Sequence, residues 1–291
     1  MKSAILAAGA AAVAALLGLG IPHDSAGAQA RRTPARTDPA VLDFVVGNVE
    51  YLLVHEIAHF LIDEKNIPII GPEEDAADYI ATLALLREAP LDPTQQHRAL
   101  RFLTSAADAF AASWQTGLTA GSDAPYWDSH ELSIQRYYQI ACLLYGSDPV
   151  TYAAVPQISG LPDTRARGCA SEYAKADESI QWLLTTFGRQ EGDKPSAATT
   201  IVYDDPPSRV SASVLEELRR IDLLERIDER LHERFTIEQP FTMAMRRCGK
   251  AQGAWLPEQR ELLICYELVD TLYLLGLRKQ ETSLRPIAPT E

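Results

Sequence analysis

The segment 41–61 constrains the fold more than any other part of this chain. Its apolar residues recur at helical spacing and cover so much of the helix surface that the segment must be buried on most sides. An Asp-Pro pair at 38–39 is typical of a helix start, and Asn-Ile-Pro at 66–68 is typical of a helix end. The pattern therefore predicts one buried helix over residues 40–65. The apolar positions are Val41, Phe44, Val45, Val49, Leu52, Leu53, Ile57, Phe60 and Leu61.

The remainder of the chain is also predominantly helical in its spacing. Two short strands are expected at Phe241–Arg247 and Glu261–Tyr266, and Trp255–Pro257 between them favours a β-hairpin. The predicted fold class is mainly α with a small β element (α+β). Residues 40–291 are expected to form a single domain with the late hairpin and a closing helix. Further helices are predicted over about 73–88, 94–117, 130–145, 163–187, 211–234 and 267–277.

Residues 1–30 have the composition of a secretory signal peptide. Lys2 precedes an apolar run from Ala4 to Leu19, and Ala28-Gln29-Ala30 offers a small-residue cleavage site. An uncleaved anchor is the alternative, but it would need about 20 apolar residues. We expect cleavage near Ala30, a polar leader over residues 31–39, and a secreted or periplasmic protein without stable membrane insertion.

The charge balance disfavours nucleic acid as a partner. The chain has 40 acidic and 27 basic residues, which gives a formal net charge of −13. A surface this acidic repels polyanions.

Four cysteines are present, and no two of them form a CxxC pair. An even number of cysteines in an exported protein favours disulfides over a metal site. Three connectivities are possible, and we favour Cys142–Cys169 with Cys248–Cys265 because each pair closes a short segment.

The pentapeptide His55-Glu56-Ile57-Ala58-His59 has the form HExxH and falls within the predicted buried helix. Residues four apart project from one helical face, so His55 and His59 can bind one metal ion. Zinc is the usual ion for nitrogen ligands combined with a carboxylate. Glu56 lies on the same turn and can accept a proton from a water activated by the metal. We therefore predict a Zn²⁺ site with Glu56 as a catalytic residue.

A third metal ligand must come from another segment. Asp63 is eight residues beyond His55, a rise of about 12 Å along the helix, which is too far. The 66–72 loop can instead return the chain beside the first helix, since seven extended residues span up to roughly 23 Å. Three acids then compete for the position: Glu73, Glu74 and Asp75.

The combination of HExxH with a following ExxAD resembles the gluzincins, which are zincin metallopeptidases with a glutamate ligand. This resemblance implies that Glu74 is the third ligand and that Asp78 steadies a ligand histidine, with Glu73 held in reserve. It also implies a zincin-like fold with the HExxH on a long helix. The stretch GNVEYLLVHEIAHFLIDEKNIPIIGPEEDAADYIATL is similar to a bacterial family of metallopeptidases classed as a domain of unknown function. The likeness extends through YWDSHELSIQRYYQIACLLYGSDP, LPDTRARGCASEY and CYELVD, but an Asn-Ala pair in that family is replaced here by Gln252-Gly253.

Several other residues have both a catalytic and an ordinary interpretation. His130 could donate a hydrogen bond to the transition state, or it could be a capping or surface residue. Arg136 and Tyr138 could hold an oxyanion, although packing and a salt bridge are the simpler interpretation. The strand 261–266 could be an edge that pairs with substrate, as edge strands do in zincins, or merely a strand fixed by a disulfide.

The sequence supports three functional hypotheses. The first is a zinc peptidase that acts on a peptide or protein substrate outside the cytoplasm. The second is a disulfide-stapled helical binding module with a structural zinc, and the third is an amidase that acts on cell-wall peptides. Glu56 favours catalysis, because a structural zinc site has no use for that acid.

Overall fold

The computed structural model describes residues 38–88, 93–121, 123–124 and 126–282. The predicted signal peptide and most of the predicted leader lie outside these residues. The described part of the chain is mainly helical with one small mixed sheet, which confirms the predicted α+β class.

Helix α1 spans Pro39–Lys65. The Asp38 carboxylate accepts a hydrogen bond from the Ala40 amide at 2.8 Å, as an N-cap does. The helix ends where Asn66 adopts a left-handed conformation with φ 48°. Of the helices in the described ranges, α1 is the one long and apolar enough to cross a membrane, but 83% of its most apolar window is buried inside the protein. It is therefore the core helix that the sequence predicted.

The other helices follow the predicted order with three differences, one of which is a short helix at Val155–Ser159 that was not predicted. The helix predicted over 211–234 is two helices, because Asp222 is left-handed with φ 50° and interrupts it. The helix predicted from residue 130 begins at Ser133, so His130 lies in the preceding loop. The helices are α2 (Glu73–Glu88), α3 (Pro93–Thr119), α4 (Ser133–Ser147), α5 (Val155–Ser159), α6 (Asp163–Phe187), α7 (Arg209–Arg220), α8 (Leu223–Arg234) and α9 (Tyr266–Thr282).

The predicted β-hairpin is wrong. The strands are β1 (Thr199–Tyr203), β2 (Phe241–Arg246), β3 (Gly253–Leu256) and β4 (Glu261–Cys265), in the spatial order β1-β2-β4-β3. The two predicted strands, β2 and β4, are parallel neighbours. Much of the predicted turn is instead the edge strand β3, which pairs antiparallel with β4. This order places the apolar strand β4 in the buried interior and leaves the short β3 at the rim.

Two hydrophobic clusters meet on α1. One contains Phe60 with residues of α7, α8, α9 and the sheet, and the other contains Tyr51 with residues of α2, α3 and α4. Phe60 stacks on Phe241 of β2 with ring centroids 4.4 Å apart, which ties the helix to the sheet. Packing on both sides explains why α1 is apolar around most of its circumference.

Both predicted disulfides are present. Cys142–Cys169 joins α4 to α6, and Cys248–Cys265 joins the segment after β2 to the end of β4. The second bond closes the segment that contains β3. Disulfides persist in oxidising compartments, so they indicate an environment outside the cytoplasm.

Candidate metal centre

Three candidate metal-ligand side chains converge where the start of α2 packs beside α1. His55 and His59 lie one turn apart on α1, and the loop after α1 returns Glu74 to face them. The distance between the two Nε2 atoms is 3.2 Å. Each of these nitrogens is also 3.2 Å from Glu74 Oε2. The three atoms therefore form an equilateral triangle.

This triangle fits a tetrahedral zinc ion. Zinc–nitrogen and zinc–oxygen bonds of about 2.0–2.1 Å place two tetrahedral ligand atoms about 3.3 Å apart. The edges between His55, His59 and Glu74 are all 3.2 Å. The donor set of two imidazoles and one carboxylate is also one that zinc favours.

Carboxylates on the far side of each ring favour the metal-binding tautomer. His59 Nδ1 is 2.7 Å from Glu73 Oε1. His55 Nδ1 is 2.9 Å from Asp78 Oδ1, an ion-pair distance, although its N–H does not point straight at that oxygen. A proton held at Nδ1 leaves the lone pair of Nε2 directed at the centre of the triangle. Glu73, the reserve ligand in the sequence analysis, thus contacts the outer nitrogen of His59.

Asp78 joins the site to the interior. Its Oδ1 accepts a hydrogen bond from the Tyr51 hydroxyl at 3.1 Å. Arg136 on α4 binds the same carboxylate in a bidentate pair, with both nitrogen–oxygen distances at 2.6 Å. Burial alone would raise the pKa of Asp78, but His55 and Arg136 outweigh it and the pKa is lowered. Arg136 therefore has the salt-bridge role rather than the oxyanion role considered above.

The ligand atoms share a strongly negative environment. Hydrogen bonds from His130, His55 and His59 hold the pKa of Glu74 far below its ordinary value. Burial would lower the pKa of His59, yet its bonds to Glu74 and Glu73 raise it to about 9. Carboxylates that favour a proton on an imidazole also favour a metal cation at the same place.

Glu56 lies between the ligand triangle and the sheet. Its side chain is 8% exposed, and Oε2 accepts a hydrogen bond from the Trp255 amide of β3 at 2.8 Å. A Cβ placed on Gly253 would lie 3.3 Å from Glu56 Oε1, so the strand passes close to the carboxylate. Burial raises the pKa of Glu56, and the neighbouring histidines offset only part of that rise. A raised pKa suits a group that must accept and then release a proton.

The strand beside Glu56 is β3, whose second half was predicted to be part of a turn. The strand considered from the sequence as a substrate edge, β4, lies inside the sheet instead. Gly253 was the available signal, because a glycine within a strand often marks a close approach by another group. The Tyr266 hydroxyl donates to the Asp204 carbonyl, and Glu267 accepts from the amides of Cys248 and Gly249, so both residues support the fold.

His130 reaches the site from the loop before α4. Its Nε2 is 2.9 Å from Glu74 Oε2. Its Nδ1 and its backbone amide contact the same oxygen of Asp128, at 3.0 and 2.9 Å. Hydrogen bonding to Glu74 raises the pKa of His130. The ligand atoms of His55, Glu74 and His130 all lie within 4.8 Å of one another, so His130 is near enough either to contact a substrate or to add a fourth protein ligand.

Residues 23–184 match a protein family described as "Putative metallopeptidase". This match covers more than half of the chain. The chain belongs to this family. The matched region includes α1, α2 and the loop that bears His130, and it ends before the sheet. No curated protein and no solved structure matches the chain.

Proposed function

We propose that this member of the metallopeptidase family is a zinc-dependent peptidase that acts outside the cytoplasm. The observation that most directly supports this proposal is the triangle of His55, His59 and Glu74 with 3.2 Å edges. The Glu56 carboxylate is fixed beside it. Three protein ligands with one open position are the arrangement of catalytic zinc sites. A zinc ion bound there would lower the pKa of water to about 7 and polarise the substrate carbonyl.

Glu56 is the proposed general base. Its carboxylate accepts a proton from the attacking water and delivers it to the leaving amine. The Trp255 amide holds one oxygen of Glu56, which fixes its orientation. His130 Nε2 is the proposed hydrogen-bond donor to the oxyanion that forms on the carbonyl, and Asp128 positions that ring.

Strand β3 is the proposed backbone partner of the substrate. The Gln252 carbonyl accepts from the Cys265 amide at 3.0 Å, and Gly253 pairs with Ile264. Alternation in an antiparallel ladder then directs the polar backbone groups of Gly253 and Trp255 away from β4. The Trp255 amide binds Glu56, so the groups proposed to pair with substrate are the Gly253 amide and carbonyl and the Trp255 carbonyl. An extended peptide can pair with such an edge. This arrangement favours peptides over small amides as substrates.

Export is part of the same proposal. A signal peptide cleaved near Ala30 would place the domain of residues 40–291 outside the cytoplasm, and the two disulfides support this location.

The test combines zinc analysis with hydrolysis of a peptide library that includes cross-linked cell-wall peptides. Glu56→Gln should retain one zinc per chain and lose at least about 10³-fold in kcat, because it removes the proton acceptor. His59→Ala should lose the metal. Stoichiometric zinc with no cleavage of any library member would refute the proposal.

A structural zinc site is the second candidate, since His130 lies close enough to complete four protein ligands. His130→Ala separates the two. In a peptidase the variant keeps its zinc and loses kcat. In a structural site it loses zinc affinity and stability, while Glu56→Gln has no effect.

A further inference from the structure

An open cavity of about 930 Å³ adjoins the metal centre. It lies between the end of α3, the loop that follows and the start of α4. His130 and Arg136 form the wall that it shares with the metal centre. A peptide whose reacting carbonyl lies at the triangle would therefore place a neighbouring side chain at the mouth of this cavity.

The lining carries uncompensated negative charge. Asp123 and Glu131 line the cavity, and neither has an ion-pair partner within residues 38–88, 93–121, 123–124 and 126–282. The basic side chains of the lining are Arg136 and His130. The Arg136 guanidinium is held by Asp78 in two 2.6 Å contacts, and the His130 ring lies between Glu74 and Asp128 at 2.9 and 3.0 Å. A cation that enters the cavity would face the carboxylates of Asp123 and Glu131, while both basic groups of the lining are already paired with other carboxylates.

Aromatic rings line the same cavity. Tyr126 is 80% exposed and Trp127 is 82% exposed, and both line the cavity together with Trp114. Adjacent large aromatics with this exposure commonly mark a binding surface. The face of a tryptophan or tyrosine ring attracts a guanidinium or an ammonium group.

We propose that this cavity, the acidic–aromatic pocket, receives a lysine or arginine side chain of the substrate next to the bond that is cleaved. The inference rests on the proposed peptidase function and gives that function a substrate class. Acidic side chains would be repelled by Asp123 and Glu131. A neutral side chain would gain contact with the rings but no charge complementarity.

The test uses pairs of blocked peptides that differ only in arginine or citrulline at one position, because citrulline keeps the shape of arginine and removes its charge. The position is varied along the peptide. At one position kcat/KM should favour arginine by at least about tenfold.

Glu131→Gln should reduce this arginine-to-citrulline ratio of kcat/KM about tenfold, the effect of one charge-assisted hydrogen bond. Trp127→Leu should reduce it about threefold, as expected for an exposed cation–π contact. Glu191→Gln, in an exposed loop elsewhere, is the matched control and should leave the ratio unchanged.

A binding experiment separates this inference from the proposed function. The zinc-loaded Glu56→Gln protein is titrated with both peptides by calorimetry. Tighter binding of the arginine peptide, weakened by Glu131→Gln, supports the pocket even if the wild-type protein cleaves nothing. Cleavage of both peptides at equal kcat/KM, or equal binding of both, overturns the pocket and leaves the peptidase proposal intact. Absence of both cleavage and binding overturns both.

Discussion

The two sides of the proposed active centre are constructed differently. On the metal side, the start of α2 faces α1 after a seven-residue connection, and carboxylates back both histidines. On the side of Glu56, the supporting group is a backbone amide of β3 that lies 199 residues further along the chain. The three candidate ligands thus come from one helical hairpin, whereas the support of Glu56 requires β3 to pair with β4 in the sheet.

This difference implies that metal affinity and turnover can be changed separately. Substitutions around α2 should act first on zinc, because they alter ligands or the groups that orient them. Substitutions around β3 should act first on kcat, because they move Glu56 without touching a ligand.

Asp78→Asn should have the largest effect. The amide keeps the shape of Asp78 but leaves the buried Arg136 guanidinium without its counter-charge, which costs about 3–5 kcal/mol in unfolding free energy. His55 also loses the carboxylate that orients it, so zinc affinity should fall about 10–100-fold. Urea unfolding of the metal-free protein and competition with a chelating dye measure the two effects. Unchanged zinc affinity would show that Asp78 serves folding alone.

Removal of the disulfide that encloses β3 should come next. Cys248→Ser with Cys265→Ser opens a segment with a sequence separation of 17 and should cost about 3 kcal/mol in unfolding free energy. Because β3 lies within that segment, kcat of the folded, zinc-loaded protein should also fall. The control is Cys142→Ser with Cys169→Ser, where the separation is 27. That pair should lose similar stability and keep its kcat, as measured by thermal unfolding and peptide hydrolysis. Equal losses of kcat in both double variants would contradict the assignment of β3.

The same contrast explains what could be predicted from the sequence. The predicted boundaries of α1 and α2 agree with the structure to within about a residue, because caps, a proline and helical spacing are local signals. The pairing of the cysteines also followed from short separations. Strand β3 was missed because its four residues show no alternation and their partner, β4, comes later in the chain. The break at Asp222 was missed because an aspartate is seldom left-handed, and no glycine or proline marks the position.

Within the site, the HExxH spacing brought His55, Glu56 and His59 together without further information. The choice of Glu74 among three acids came from a family resemblance, and the structure places its carboxylate at the triangle while Glu73 lies behind His59. The closeness of His130 to Glu74 could not be deduced from spacing, because it depends on how α4 packs and on Asp128 fixing the loop.

Glu73→Gln should have a smaller effect on zinc than Asp78→Asn. The Glu73 side chain is 47% exposed, whereas that of Asp78 is 3% exposed. The amide oxygen of glutamine can still accept from His59 Nδ1, and water can substitute for it. Zinc affinity should fall at most about tenfold, with little change in unfolding free energy. Competition with a chelating dye, under the conditions used for Asp78→Asn, measures the loss of zinc affinity. A larger loss in Glu73→Gln than in Asp78→Asn would show that Glu73 behind His59 matters more for zinc binding than Asp78 behind His55.

Gly253→Ala should have the smallest effect, and it should act on the other side. The added methyl group would lie 3.1 Å from Ile264 Cδ1 and 3.3 Å from Glu56 Oε1, so both neighbours must shift by a few tenths of an ångström. A carboxylate displaced by that amount should reduce kcat about threefold, whereas zinc content should not change because no ligand is moved. Ala254→Gly on the same strand is the matched control, since it alters the backbone of β3 without adding an atom near Glu56. Steady-state kinetics with parallel zinc analysis checks the prediction. Loss of zinc in Gly253→Ala would show that the two sides of the centre are coupled and that the metal side depends on the sheet after all.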